Sequence, residues 1–166
     1  LKIIDKNKID ILFECIGLSD GISKKVVEKA LKNCIHVITP NKALISKHGD
    51  YLSNIAERKK VNLEFEASVG GGIPILRTIK EGLSTNRITK VYGILNGTCN
   101  YILSEMDRTN DNFKNVLKKA QRLGYAEPGD PRLDINGYDT LAKVRILSSL
   151  AFKKKISKNN LLMEGI

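Results

Sequence analysis

Residues 121–143 read QRLGYAEPGDPRLDINGYDTLAK and concentrate Glu127, Asp130, Asp134 and Asp139 ahead of Lys143, in a stretch with three glycines and two prolines. Acids this dense are notable in a chain of formal charge +10. Asp139 and Lys143 lie four apart, so a helix places them on one face. If the stretch is a solvated loop running into a helix, their ion pair stabilises it by a few tenths of a kcal/mol. If it is a polar pocket at a loop–helix junction, its chemistry is specific. Carboxylates accept charge-assisted hydrogen bonds from an amino group. A lysine beside them can protonate, or electrostatically stabilise, an oxygen on which negative charge develops. Tyr138, Leu141, Ala142 and Leu147 make the carrying helix largely apolar, which favours the pocket. The acids match no calcium loop in their spacing. A second lysine, Lys42, follows Thr39-Pro40-Asn41 at a predicted strand end; it is either an ordinary surface lysine or a crevice group.

The elements that must position these residues follow from periodicity. Residues 9–16 form an apolar run expected as a buried strand, ended by Gly17 and by Ser19, Asp20 and Gly21, of which Ser19 or Asp20 can cap the next helix. Ile22, Val26, Val27, Ala30 and Leu31 recur at helical spacing. Residues 36–39 return as a strand, Pro40 and Asn41 break it, and Tyr51, Leu52, Ile55 and Ala56 mark another helix. Val61, Leu63 and Phe65 then alternate with polar residues. Strand, helix, strand, helix, strand with crossovers of this length is half of a doubly wound parallel sheet. Binding crevices in such sheets lie beyond the carboxyl ends of the strands, where 17–21 and 39–42 fall.

The second half opens on 68–74, with three consecutive glycines that permit a tight backbone path or a hinge. Ile73, Leu76, Ile79 and Leu83 predict a helix, 88–95 a strand, and Tyr101, Ile102 and Met106 a further helix. Asp111 precedes a stripe of Phe113, Val116, Leu117, Ala120 and Leu123, which Gly124 is placed to stop. A last helix is expected from near Ile135 to about Phe152.

Composition narrows the function classes. Apolar residues make up 42% of the 166, enough to fill a core, and no run reaches membrane-span length. The opening stretch lacks the apolar core and cleavage site of a secretion signal. Cys15, Cys34 and Cys99 are odd in number and without metal spacing, and are expected as buried free thiols in a reducing, cytoplasmic setting. Two histidines, His36 and His48, exclude a histidine-rich metal site. The basic charge attracts anions, but no zinc finger, stacking motif or arginine-rich arm accompanies it, so no nucleic-acid partner and no membrane partner is expected. Serine-elbow, kinase and Walker motifs are absent, as is a GxGxxG fingerprint.

Five segments in series resemble the homoserine dehydrogenase family: Glu14-Cys15-Ile16-Gly17, HVITPNKAL at 36–44, FEASVGGGIPI at 65–75, GILNGTCNYIL at 93–103 and AQRLGYAEPGDPRLDINGYDTLAKV at 120–144. Together they run through nearly the whole chain in family order. The resemblance implies an α/β fold: a truncated Rossmann-like parallel half-sheet over 1–66, the second half of an NAD(P)-binding domain, followed by an α+β substrate and dimerisation domain over 67–166. It implies reversible reduction of L-aspartate 4-semialdehyde to L-homoserine with NAD or NADP. Lys143 and Lys42 would be the catalytic lysines, with Glu127, Asp134 and Asp139 around the substrate. Gly17, Lys42, Gly124, Tyr125, Ala126 and Glu127 would lie along the cofactor. The backbone at Glu66, Val69, Gly71 and Ile73 would hold a monovalent cation such as sodium, and the chain would form a homodimer.

The sequence departs from the family in three places. The first βαβ unit with its glycine phosphate loop and a closing C-terminal segment are absent from these residues, and Gly129 lengthens the acidic loop, which in the family runs Glu-x-Asp-Pro. The expectation is a fragment with little activity alone, completed by a separate chain. The alternative is a non-catalytic folded remnant or dimerising partner subunit.

Overall fold

The computed structural model describes residues 1, 2, 4, 8–157 and 161–166. Residues 3 and 5–7, within the stretch read for a leader, lie outside the described residues. The described residues fall into two compact units, Leu1–Thr89 with Arg145–Lys155 and Lys90–Val144 with Ile156–Ile166. None of their helices is long and apolar enough to cross a membrane.

The first unit is built on a three-stranded parallel sheet in the order β1 (Ile11–Phe13), β2 (His36–Ile38), β3 (Leu63–Glu64). Ile11 pairs with His36, Phe13 with Ile38, and Ile38 with Glu64. Helix α1 (Ile22–Lys32) joins β1 to β2 and buries Ser23, Val27, Ala30 and Leu31, the one-face spacing expected of an amphipathic helix. Helix α2 (Lys42–Lys59) joins β2 to β3 and buries Leu44, Ile45, Leu52 and Ala56. The α/β half-sheet expected from the sequence is therefore present. Its first strand is shorter than the apolar run. The ladder continues through one bond, Glu14 N donating to Ile38 O at 2.9 Å, after which the Glu14 carboxylate takes the backbone N–H groups of Ile16 and Gly17 instead.

Neither Ser19 nor Asp20 caps α1, whose N-cap is Gly21. The Asp20 carboxylate accepts from Ser19, Lys47 and His48, so it is unavailable to the helix end. The helix predicted from Ile73 to Leu83 is a single α turn, α3 (Ile75–Arg77), continued by a π turn over Thr78–Gly82. The Thr78 hydroxyl bonds back to Pro74 O at 2.7 Å while Leu83 N reaches Thr78 O, five residues back, at 2.8 Å.

In the second unit, helices α4 (Gly97–Thr109) and α5 (Phe113–Arg122) enclose a core of Ile102, Val116, Ala120 and Ala126, with Tyr101, Met106, Phe113, Leu117 and Ile135 packed on it. Asn112 caps α5 by accepting from Asn115 N, and Asp111 accepts from the Asn115 side chain. Gly124, at φ 78°, follows the end of α5 as expected. The last helix is split into α6 (Arg132–Ile135) and α7 (Tyr138–Phe152) around Gly137 at φ 83°. The strand expected over 88–95 is not formed. A strand exists only through a partner's N–H and C=O groups, and this segment pairs with none among the described residues, leaving Tyr92 85% and Ile94 76% exposed.

The cysteines are free, but the expected burial is wrong: Cys15 and Cys34 are exposed and Cys99 is half-buried. Cys15 lies beyond the end of β1, past the last ladder bond, and Cys34 sits in the left-handed turn after α1.

Candidate active site

At the carboxyl ends of the strands in the first unit, Glu14 is only 2% exposed and is surrounded by donors. Its Oε2 accepts from the Thr39 hydroxyl at 2.6 Å, and its Oε1 from the Ser23 hydroxyl at 2.7 Å and Ile16 N at 2.8 Å. Burial pushes this carboxyl up, but the bonds from Thr39, Ser23, Ile16 and Asn41 together outweigh that and hold it below its ordinary value. Asn41 ties the group together. Its amide nitrogen donates to Leu18 O and the Ser23 hydroxyl at 2.9 Å each, while its oxygen accepts from Leu44 N at 3.0 Å and so caps α2. Lys42, half-buried, is the first residue of that helix. Gly17 is exposed at φ 91°, with open space where a Cβ would stand. The loop thus offers accessible backbone over a rigid polar base, which suits close approach of a nucleotide.

The second unit brings three of the predicted site residues together. Lys143 Nζ bonds Asp139 Oδ2 at 2.8 Å and donates to Leu95 O at 2.7 Å. The side chains are 19% and 6% exposed, so this is no solvated surface pair. Asn96 Nδ2 donates to Asp134 Oδ1 at 2.8 Å and to Asp139 Oδ2 at 2.9 Å. The Thr98 hydroxyl lies 2.6 Å from Tyr125 O and 3.2 Å from Asp134 Oδ2. Burial, followed by the charges of Asp134 and Asp139, pushes the Cys99 thiol up. An ammonium has three donors; two of those on Lys143 are placed by Asp139 and Leu95, which leaves one to meet a ligand oxygen.

The other predicted residues are arranged differently. Glu127 is exposed and, among the described residues, outside this hydrogen-bond cluster; its carbonyl accepts from Gln121 at 3.0 Å. Asp130 is taken by Arg132, whose guanidinium and backbone N–H bring its carboxyl down to about 2. Tyr125 stacks on Tyr101 with ring centroids 4.3 Å apart, and Ala126 beside it is buried. In the first unit, the Glu66 carboxylate accepts from Leu76 N at 2.9 Å and Arg77 N at 2.8 Å, so it caps α3. Of the main-chain oxygens expected at a cation, Glu66 O accepts from Val69 N at 3.3 Å and Ile73 O from Ile75 N at 2.8 Å. Among the described residues, no cluster of three or more His, Cys, Asp or Glu is placed to hold a metal.

Reading from sequence missed Asn96, Thr98 and Glu14 as site residues. Asn96 and Thr98 flank Gly97 in a stretch of turn composition, and Glu14 lies in an apolar run. A buried position for a carboxylate in an otherwise apolar run was the available signal for Glu14.

The fold and these polar clusters define a Rossmann-like α/β protein. A family model for homoserine dehydrogenase matches residues 74–166, and one for the homoserine dehydrogenase NAD binding domain matches residues 2–66. Homoserine dehydrogenase of Neisseria gonorrhoeae is 43% identical over 165 residues, covering 99% of this chain and 38% of that protein. That of Bacillus subtilis is 42% identical, covering 99% and 37%. Among solved structures, a homoserine dehydrogenase from Thiobacillus denitrificans superposes with a TM-score of 0.92 at 45% identity, over 99% of this chain and 38% of that one. A hyperthermophilic archaeal homoserine dehydrogenase in complex with NADPH does so with a TM-score of 0.85 at 27% identity, over 93% and 47%. The chain belongs to the homoserine dehydrogenase family. It spans under two fifths of the length of these curated relatives.

Proposed function

We propose that the protein takes part in the NAD(P)-dependent interconversion of L-homoserine and L-aspartate 4-semialdehyde. The observation that carries this reading is the pair of carboxylates at half-buried Asp134 and buried Asp139, with Lys143 bonded to the second. Carboxylates placed side by side accept charge-assisted hydrogen bonds from a substrate ammonium group. NAD(P)H, when bound, supplies hydride to the carbonyl carbon. Lys143, held by Asp139 and Leu95 O, directs its remaining N–H at the carbonyl oxygen and transfers the proton as charge builds there. Asp134 and Asp139 receive the substrate's polar groups, with Glu127 at the rim. Lys42 adds positive field.

On this reading, residues 1–66 are the second half of the nucleotide domain and 67–166 the substrate domain. Gly17, Lys42, Gly124, Tyr125, Ala126 and Glu127 border the cofactor, and carbonyls at Glu66, Val69, Gly71 and Ile73 hold sodium. The partners are a second copy of this chain and a glycine phosphate loop on the same or a separate polypeptide. Exposed Tyr92 and Ile94 support the first of these.

The test has two parts. Homoserine binding to the protein is followed by NMR, and homoserine-dependent reduction of NAD and NADP is compared with Lys143→Ala. The expected result is binding near Asp134, with turnover at least about 100-fold lower in the variant. A folded protein that binds no homoserine, or a variant that turns over like a parent of measurable activity, overturns the reading.

A further inference from the structure

The acid–lysine cluster raises the question of how two carboxylates are kept adjacent in a half-buried site. Two carboxylates bonded to one amide nitrogen repel each other. The structure holds them with a neutral side chain. Both N–H donors of the Asn96 amide are placed, one on Asp134 at 2.8 Å and one on Asp139 at 2.9 Å. Its oxygen faces a donor, accepting from Cys99 N at 2.8 Å as the N-cap of α4. A flipped amide would aim its oxygen at two carboxylates, so the hydrogen-bond partners fix its orientation. Asn96 is itself only 7% exposed.

Its neighbours bond Asp134 and the lysine. Leu95 O accepts from Lys143, the Thr98 hydroxyl lies 3.2 Å from Asp134 Oδ2, and Cys99 Sγ lies 3.4 Å from Asp134 O. Five consecutive residues, 95–99, thus form a template against which α6 and the start of α7 are set.

We propose that Asn96 is the positioning residue of this site, holding Asp134 and Asp139 side by side as acceptors without itself adding charge beside a cationic ligand group. A lysine or arginine at 96 would steady the acids equally well but would neutralise them. An amide supplies two donors and no charge. Lys143, Asn96 and Thr98 bond the acids, and Asp134 lines a cavity of about 240 Å³ together with Cys99 and Glu164. The identity of the cationic group, a homoserine ammonium, rests on the function proposed above; the positioning role does not.

Asn96→Asp separates the two jobs of this side chain. It keeps the oxygen that caps α4, since aspartate is as good an N-cap as asparagine. It replaces both donors with an acceptor beside the two acids. Asn96→Ser also keeps a capping oxygen and drops the donors without adding charge, and serves if the aspartate variant does not fold. The titration midpoints of Asp134 and Asp139 are read by ¹³C NMR in the protein and both variants, alongside homoserine affinity. Positioning predicts midpoints raised by about one unit or more in Asn96→Asp, and by less but in the same direction in Asn96→Ser. It also predicts homoserine affinity about tenfold or more weaker. Midpoints unchanged in a folded variant overturn the proposal, because capping alone is then its role. Raised midpoints with no homoserine binding even by the parent protein uphold the positioning and sink the proposed substrate.

Discussion

Breaking the Asp139–Lys143 pair tests whether the acid–lysine site is a desolvated construction or a surface ion pair that happens to lie in a loop. Asp139→Asn is nearly isosteric and keeps an oxygen to accept from Asn96, so its cost isolates the charge. Removing one member of a buried pair costs about 3–5 kcal/mol. Here Lys143 is 19% exposed and retains Leu95 O as an acceptor at 2.7 Å, which reduces the expected loss to about 2 kcal/mol. Lys143→Met, which keeps the alkyl stem and removes the charge, should cost a similar amount because it takes a cationic partner from a carboxylate with 6% exposure. The double variant should cost less than the sum, with a coupling of about 1.5 kcal/mol. Urea unfolding followed by near-ultraviolet circular dichroism is suitable, since the stacked Tyr101 and Tyr125 lie in the same unit. Glu28–Lys32 is the internal control, with the same four-residue spacing and acid-first order but a lysine 54% exposed. Coupling at Asp139–Lys143 no larger than at that control would refute the claim that the site is desolvated, and with it the basis for a poised lysine.

Two further measurements bear on the scaffolds of the two clusters. Glu14 has a folded-state value held below its ordinary 4.5, so the stability it contributes is present above that value and lost as pH falls through the lower folded one. Glu14→Gln should therefore flatten the decline of the urea midpoint below about pH 4.5 and lower the midpoint at neutral pH; an unchanged acid limb would mean that other carboxylates carry it. Gly124→Ala and Gly137→Ala should both destabilise, because both positions are left-handed, at about 1–2 kcal/mol for the backbone alone. Gly137→Ala should cost more, since its new Cβ would stand 3.1 Å from the Met163 side chain and 3.2 Å from Glu164 O, whereas at Gly124 it would meet nothing within 4 Å. Thermal unfolding ranks the two, and equal losses would count against the close packing of the tail on Gly137.

Features carried by local repetition were legible in the chain, and features carried by distant partners were not. The stripes at Val27, Ala30 and Leu31 and at Val116 and Ala120 announce α1 and α5 because a helix completes its hydrogen bonds within its own segment. The run at 88–95 has strand composition, but composition supplies no ladder partner. At 73–83 the apolar spacing was right for a helix, and the Thr78 back-bond with the π turn altered its form. The lysine–acid pairing was readable because four residues on a helix is a fixed geometry, which is why Asp139 and Lys143 met as expected. Glu127 sits in the same acidic stretch but outside the cluster, since a loop containing Pro128, Gly129 and Pro131 carries no period that assigns side chains to a face.

The same contrast explains why Asn96 escaped notice. It is 38 residues from Asp134 and 43 from Asp139, and a lone asparagine before a glycine reads as a turn. Yet the capping function that makes asparagine common at helix starts is what makes it usable here. Capping α4 consumes the oxygen and fixes the amide plane, so the nitrogen is aimed by the helix end rather than by its own rotamer freedom. A serine or threonine cap spends its oxygen in the same way but has a single hydroxyl proton to offer, and an aspartate cap has no donor when ionised. Among the usual N-cap residues, only asparagine closes the helix and still presents two donors to two acids. The chemistry proposed for Asp134, Asp139 and Lys143 therefore depends on a residue whose local role gives no hint of it.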